Sequence, residues 1–252
     1  MYFPEAQCPL VFALGVPSVF LTGRPDASAE ALTELLHGEE VKVFFRRADW
    51  AEVESRTDQY RGFVPADALA EPGEEPTHCL VALRSFVFPE PNLKVPPVAS
   101  LSFLSQVRPG AQRNGFAELA GGGWIFAAHL APRGIHEPNY ARTALRFLEV
   151  PYLWGGRTAQ GLDCSALVQL SLAAAGIAAP RDSGPQRAQI GHLVLGDAPP
   201  RTRDLVFWPG HVGIMVDHET MVHANAHHMA VVLEPLDEVI RRVGAYPEVR
   251  RL

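Results

Sequence analysis

The chain has 252 residues, 47% of them apolar, enough to bury the core of one large domain or of two to three small ones. Its net charge of −6 and its short basic pairs, Arg46-Arg47 and Arg241-Arg242, which are not interleaved with aromatic residues, argue against nucleic acid as a partner. Three widely spaced cysteines, Cys8, Cys79 and Cys164, with no CxxC pair, argue against a disulfide framework or a zinc ribbon and point to a reducing compartment.

From Cys8 to Leu21 the chain is apolar, but Glu5 precedes that stretch, no Lys or Arg does, and Pro9 and Pro17 interrupt it. That is not the pattern of a signal peptide. No run reaches the roughly 20 apolar residues of a membrane span, so a cytoplasmic chain without a membrane partner is expected. The alternative is an exported chain whose leader has been removed. Cys8 and Cys79 read as small buried hydrophobes.

A repeat follows. Trp50-Ala51-Glu52-Val53 aligns with Phe116-Ala117-Glu118-Leu119, and Gly62-Phe63-Val64-Pro65-Ala66-Asp67-Ala68-Leu69 aligns with Gly123-Trp124-Ile125-Phe126-Ala127-Ala128-His129-Leu130. Short alternating segments between turn-rich stretches predict a small all-β barrel in each copy. Glycine, an aromatic-aliphatic pair, then Ala-x-x-Leu resembles the end of a bacterial SH3-like domain. The copies are placed at residues 15–71 and 77–132, joined by the Pro- and Glu-rich segment 72–76.

The remainder, residues 139–252, differs in kind. Ala141, Ala144, Leu145 and Leu148 recur at helical spacing between residues 139 and 149. A buried helix then follows Asp163, its natural N-cap, and stops at Gly176. After Asp204 the chain reads as strands, which makes this part an α+β domain.

Chemistry concentrates here. Cys164 falls in the first turn of the helix, where unpaired backbone amides and the positive end of the dipole favour a thiolate and can hold an oxyanion. A strand opening on His211 places His211, Gly213 and Met215 on one face, and the next strand places His223 and Asn225 on one face. If His223 stands opposite Gly213, His211 is its diagonal neighbour about 7–8 Å away, with the glycine leaving room between them. That pattern suits His211 as base and His223 as the group that orients it. His37, His78, His136, His192 and His218 read as ordinary histidines. His227-His228, with His223, lack the carboxylate or cysteine that would complete a zinc pattern, so no metal or other cofactor is assigned.

Tyr152-Leu153-Trp154-Gly155-Gly156, Asp163-Cys164-Ser165, Asp204-Leu205-Val206-Phe207, His211-Val212-Gly213-Ile214 and His223-Ala224-Asn225 occur in that order. Together they resemble the NlpC/P60 family of cell-wall cysteine peptidases over about residues 139–245. The resemblance implies a papain-like fold with a catalytic triad of Cys164, His211 and His223. Two SH3-like barrels ahead of such a domain look like the γ-D-glutamyl-L-diamino acid endopeptidases that recycle murein peptides with a free amino-terminal L-alanine. By that resemblance Asp182 pairs with the substrate ammonium, Ser165 and Ser183 hydrogen-bond to the peptide, Tyr60 walls off its amino end, and Tyr152 lies near the oxyanion. For Asp182 the other reading is a cap on the turn after Pro180, and for Tyr60 it is barrel core. For the whole chain, an amidase or acyltransferase on the same framework and a catalytically inert wall-binding module remain the rival readings.

Overall fold

The computed structural model describes residues 9–47, 49–71, 73–196 and 198–252. Cys8 lies outside them. The chain divides into two compact units, one ending at Arg133 and the other comprising Gly134–Leu252.

The first unit opens with β1 (Leu10–Leu14), β2 (Ser18–Thr22), β3 (Ala31–Leu36), β4 (Glu40–Arg46), β5 (Trp50–Ser55), β6 (Arg61–Pro65) and β7 (Leu69–Ala70). They form one sheet in the order β3-β2-β6-β5-β4-β1-β7, whose end strands do not pair with each other, so the sheet is open where a closed barrel was expected. β1 precedes the boundary expected at Gly15, yet it pairs with both β4 and β7. Side chains on β5 alternate between buried and half-buried, the period-2 pattern of a strand with one face on a core. That core contains Phe12, Leu14, Leu21, Leu35, Val41, Val53 and Val64. β6 crosses β2 closely at Gly62, where any Cβ would meet Leu21 Cδ2 at 2.2 Å and the Thr22 carbonyl oxygen at 2.6 Å.

The second half of this unit contains β8 (His78–Leu80), β9 (Arg84–Phe88), β10 (Ala99–Ser102), β11 (Gln106–Val107), β12 (Pro109–Arg113), β13 (Phe116–Leu119), β14 (Trp124–Phe126) and β15 (Leu130–Pro132). They divide into a sheet ordered β10-β9-β14-β13-β12 and another ordered β11-β8-β15, around Leu80, Val87, Leu101, Val107, Leu119 and Ile125. The aligned repeat segments take the same elements. β5 corresponds to β13, and in both halves a strand is followed by a 3-10 turn, Ala66–Ala68 or Ala127–His129, and a short strand, β7 or β15. Cys79 is half-buried, not fully buried as expected, and burial pushes its thiol pKa up.

The second unit begins with α1 (Tyr140–Leu145), capped by the Asn139 side chain, which accepts the Arg142 amide. The helix is shorter than its apolar spacing predicts because the next residues pass through tight turns to Glu149, at φ +68, just ahead of Pro151. A small hairpin, β16 (Arg157–Thr158) and β17 (Gly161–Leu162), leads into α2 (Cys164–Ala174). Every residue from Cys164 to Leu172 is buried, as expected of a helix that is apolar all round. It stops at Gly176, whose φ of +77 is left-handed and whose neighbour Ile177 returns an amide to the Leu172 carbonyl. Then come α3 (Ser183–Gln189), β18 (His192–Leu193), β19 (Leu205–Trp208), β20 (His211–Met215), β21 (Thr220–Asn225), β22 (Ala230–Pro235), α4 (Leu236–Val243) and β23 (Glu248–Arg251). The strands form a sheet ordered β18-β23-β19-β20-β21-β22. α2 packs against β20 and β21, while Leu236 and Val239 of α4 join Val206, Trp208, Met215 and Met221 in a separate apolar cluster. Among the described residues no helix is long and apolar enough to cross a membrane.

Candidate active site

Asp163 organises the start of α2. One carboxylate oxygen, Oδ1, accepts the Ala166 amide at 2.8 Å as an N-cap, and the other, Oδ2, accepts the Gly155 amide at 3.0 Å, tying the Tyr152–Gly156 loop to the helix. Arg181 grips both oxygens, Nη1 to Oδ1 at 2.9 Å and Nη2 to Oδ2 at 2.6 Å, in a pair almost closed to solvent. The Ser165 hydroxyl donates to Asp163 Oδ1 at 3.0 Å and accepts from Arg181 at 2.9 Å, while Gln186 of α3 donates to the carbonyls of Ser165 and Pro180. The nucleophile end of α2 is therefore held by a loop and a second helix.

Cys164 itself is 8% exposed. Burial, followed by the adjacent Asp163 charge, pushes its thiol up to about 11, against the opposing pull of the Val212 and Ser165 amides and Arg181. This corrects the expectation of a ready thiolate: helix-start amides do favour the anion, but desolvation outweighs them. Tyr152 faces the same point, its hydroxyl pushed up to about 12 by burial and by the Cys164 and Asp163 charges. It stays a neutral donor.

The histidines stand in line. β20 and β21 pair Ile214 with Val222 and Met215 with Met221, a register that sets Gly213 opposite His223, the arrangement supposed from the sequence. A Cβ on Gly213 would lie 2.0 Å from Met221 Cε and 3.2 Å from His223 Cβ, so the glycine makes room for the Met221 side chain beside His223. His211 Nε2 lies 2.8 Å from His223 Nδ1, and His223 Nε2 lies 3.0 Å from Glu234 Oε2. Arg242 of α4 holds both oxygens of Glu234, with Nη2 2.8 Å from Oε2 and Nη1 bonded to Oε1. The Asn225 amide nitrogen also approaches His223 Nε2, at 3.1 Å. Behind His211 stands Trp208, ring centroids 6.1 Å apart, its indole nitrogen donating to the Ala245 carbonyl at 2.8 Å.

These contacts choose the tautomers. Glu234 can only accept, and a charged acceptor makes the stronger hydrogen bond, so it prevails over the Asn225 amide and His223 carries its proton on Nε2. His223 Nδ1 then accepts from His211 Nε2, which leaves His211 Nδ1 with its lone pair. Burial pushes both imidazoles down to about 4, and Arg242, first through its hydrogen bonds, holds Glu234 down at about 2. At neutral pH the site contains a neutral thiol, two neutral imidazoles and an ionised carboxylate. Such a set can form a thiolate as the thiol proton passes to imidazole during attack, while the carboxylate favours the imidazolium that results.

Residues 149–242 match the profile of the NlpC/P60 family, and residues 21–69 match the bacterial dipeptidyl-peptidase Sh3 domain. The chain carries an NlpC/P60 domain behind a bacterial SH3 domain. It is 27% identical to dipeptidyl-peptidase 6 of Lysinibacillus sphaericus, a match covering 86% of this chain and 89% of that one. It is also 27% identical to the γ-D-glutamyl-L-lysine dipeptidyl-peptidase of Bacillus subtilis, over 82% of this chain and 77% of that protein. The crystal structure of an NlpC/P60 family protein from Bacillus cereus superposes with a TM-score of 0.81 at 21% identity, covering 96% of this chain and 99% of its own, which supports the papain-like fold of the second unit.

Within the NlpC/P60 domain His211 touches His223, the Cys164 thiol takes the amide of Val212 next to His211, Tyr152 feels the Cys164 charge, and Ser165 follows Cys164 on α2. Ser165 is more engaged than expected, since its hydroxyl proton goes to Asp163 and one lone pair to Arg181. Asp182 and Ser183 follow directly on the buried Arg181. Asp182 is exposed and stands at the N-cap position of α3 without a side-chain capping bond to that helix. Tyr60 belongs to the first unit, where it packs against the SH3-domain core. His227 and His228 pack edge to face, centroids 4.7 Å apart, and no group of three or more His, Cys, Asp or Glu side chains among the described residues is arranged to hold a metal ion. The sequence reading missed Arg181, Gln186, Glu234 and Arg242. Their only sequence signal is weak: an arginine beside the expected substrate carboxylate, and an acidic residue at a strand end eight positions before an arginine.

Proposed function

We propose that the NlpC/P60 unit of this peptidase is a cysteine endopeptidase that hydrolyses the γ-D-glutamyl-L-diamino acid bond of murein peptides with a free amino-terminal L-alanine. Its setting is the cytoplasmic recycling of such peptides, and the second half of the first unit is a second SH3-like domain. The observation that carries the reading is the 2.8 Å contact between His211 Nε2 and His223 Nδ1 beside a thiol at the first turn of α2. The name of the Bacillus subtilis relative, a γ-D-glutamyl-L-lysine dipeptidyl-peptidase at 27% identity, supports the bond, and that of the Lysinibacillus sphaericus relative supports a dipeptidyl-peptidase.

In this mechanism Cys164 Sγ attacks the γ-carbonyl carbon as its proton passes to His211 Nδ1. The oxyanion is held by the Cys164 amide and the Tyr152 hydroxyl, donors worth roughly 3 kcal/mol each in comparable sites. Collapse breaks the C–N bond, and His211 returns the proton to the leaving amine. Water then attacks the thioester, gives a proton to His211 and restores the thiol. Asp182 pairs with the alanine ammonium, assisted by Ser183 and the remaining lone pair of Ser165.

The test is incubation with L-Ala-γ-D-Glu-diamino acid tripeptide, tetrapeptide and intact wall, with products identified by mass. Cleavage of the free peptides at the γ-D-glutamyl bond, abolished by Cys164→Ala, is expected. An active Cys164→Ala protein, or release only from intact wall, overturns the reading.

A further inference from the structure

We propose that Glu234 and Arg242 are a positioning pair that aims the lone pair of His211 at the thiol by setting the tautomer of His223. The inference rests on the reading of Cys164, His211 and His223 as a triad and adds to it a fourth and fifth member supplied by β22 and α4. Glu234 is 6% exposed and touches His223 Nε2 at 3.0 Å, while Arg242 grips its two oxygens from the following helix. The other titratable neighbours include His211 on β20, His228, whose Nε2 lies 3.7 Å from Glu234 Oε2 at the open side, and Glu238 of α4, whose charge acts on Arg242. Asn225, the polar neutral neighbour, bonds the His228 amide through its oxygen at 2.8 Å, which keeps its nitrogen turned toward His223. Without the carboxylate, that amide would be the stronger claim on His223 Nε2, and it would demand the opposite tautomer.

Glu234→Gln converts the acceptor into a donor on the His223 side. His223 then takes its proton on Nδ1, His211 must accept through Nε2 and carries its own proton on Nδ1, and the base is lost. We expect kcat to fall by roughly 10²-fold or more with KM unchanged. The acid limb of kcat/KM should move to lower pH, because the charge that favours imidazolium is gone. Arg242→Gln removes a cation and leaves the carboxylate, so the limb should move to higher pH. A purely structural pair would not move the limb in opposite directions in the two variants. Shifts in the same direction, or none, overturn the proposal.

The rate of Cys164 alkylation by iodoacetamide against pH reads the same limb without any peptide. If the two variants shift it as expected while murein peptides remain uncut, the positioning pair stands and the substrate reading fails. Should either variant misfold, nitrogen NMR of the histidines in the unaltered full chain decides. Protons on Nε2 of both His211 and His223 are expected, and a proton on His223 Nδ1 overturns the assignment.

Discussion

Two carboxylate-arginine pairs flank the chemistry, and they differ in how far they are closed to water. Asp163 and Arg181, with side chains 9% and 1% exposed, sit under the nucleophile and are bound up with backbone: a helix cap, the Gly155 amide and the Ser165 hydroxyl. Glu234 and Arg242, at 7% and 30%, sit behind His223 and touch its imidazole nitrogen. The same ion-pair chemistry thus serves two ends. Where the pair is sealed it holds the shape of the helix start, and where one partner reaches solvent it can bias a proton without the full penalty of burying a charge.

Acid should do most to break this comparison, because it acts on several groups at the open end together. The folded imidazoles of His211 and His223 titrate at about 4 against an ordinary 6.5, so the unfolded chain binds more protons than the folded one once pH falls below 6.5. Stability is present in full above about pH 6.5, is lost as pH falls through 4, and drops further as Glu234 protonates toward about 2. At the other extreme the Cys164 thiol stays neutral in the fold up to about 11 while an unfolded thiol ionises from about 9, so stability also declines in that alkaline window. Urea unfolding across pH should trace a plateau between the two falls.

Arg181→Met leaves Asp163 buried without its cation and should cost about 3–5 kcal/mol by urea denaturation. Gly213→Ala forces a methyl against Met221 and His223, costing about 1–3 kcal/mol and lowering kcat by displacing His223. Arg242→Met lets water reach Glu234 and should cost about 1 kcal/mol or less, measured the same way. Equal losses for the two arginines would erase the distinction between the pairs. Asp182→Asn lies outside both: we expect no change in thermal midpoint and a roughly tenfold rise in KM for peptides with a free amino end, equivalent to the loss of one charge-assisted contact.

Much of the local structure was legible. Asp163 as a cap, the stop at Gly176 and the all-round apolar run between them are contiguous signals, and they place Cys164 on the first turn of α2. Strand alternation put His211 and Gly213 on one face and His223 and Asn225 on another, while the register of Gly213 against His223, supposed from the sequence, is set by the β20-β21 pairing. The repeat in the first unit predicted matching elements but not that its first sheet stays open, because closure depends on how the end strands meet. Arg181 and Asp163 are 18 residues apart, and Glu234 reaches His223 from the neighbouring strand, so neither contact leaves a periodic trace.

The sequence by itself determined which residues carry the chemistry and in what local conformation, since capping, helical packing and strand alternation act over a few neighbouring positions. Only the tertiary structure decided the protonation of the site. Whether Cys164 is thiol or thiolate, and which nitrogen of His223 bears a proton, depends on burial and on charges brought in by α4, β22 and the Arg181 loop. Desolvation and Coulomb forces act through space, and only the fold sets those distances.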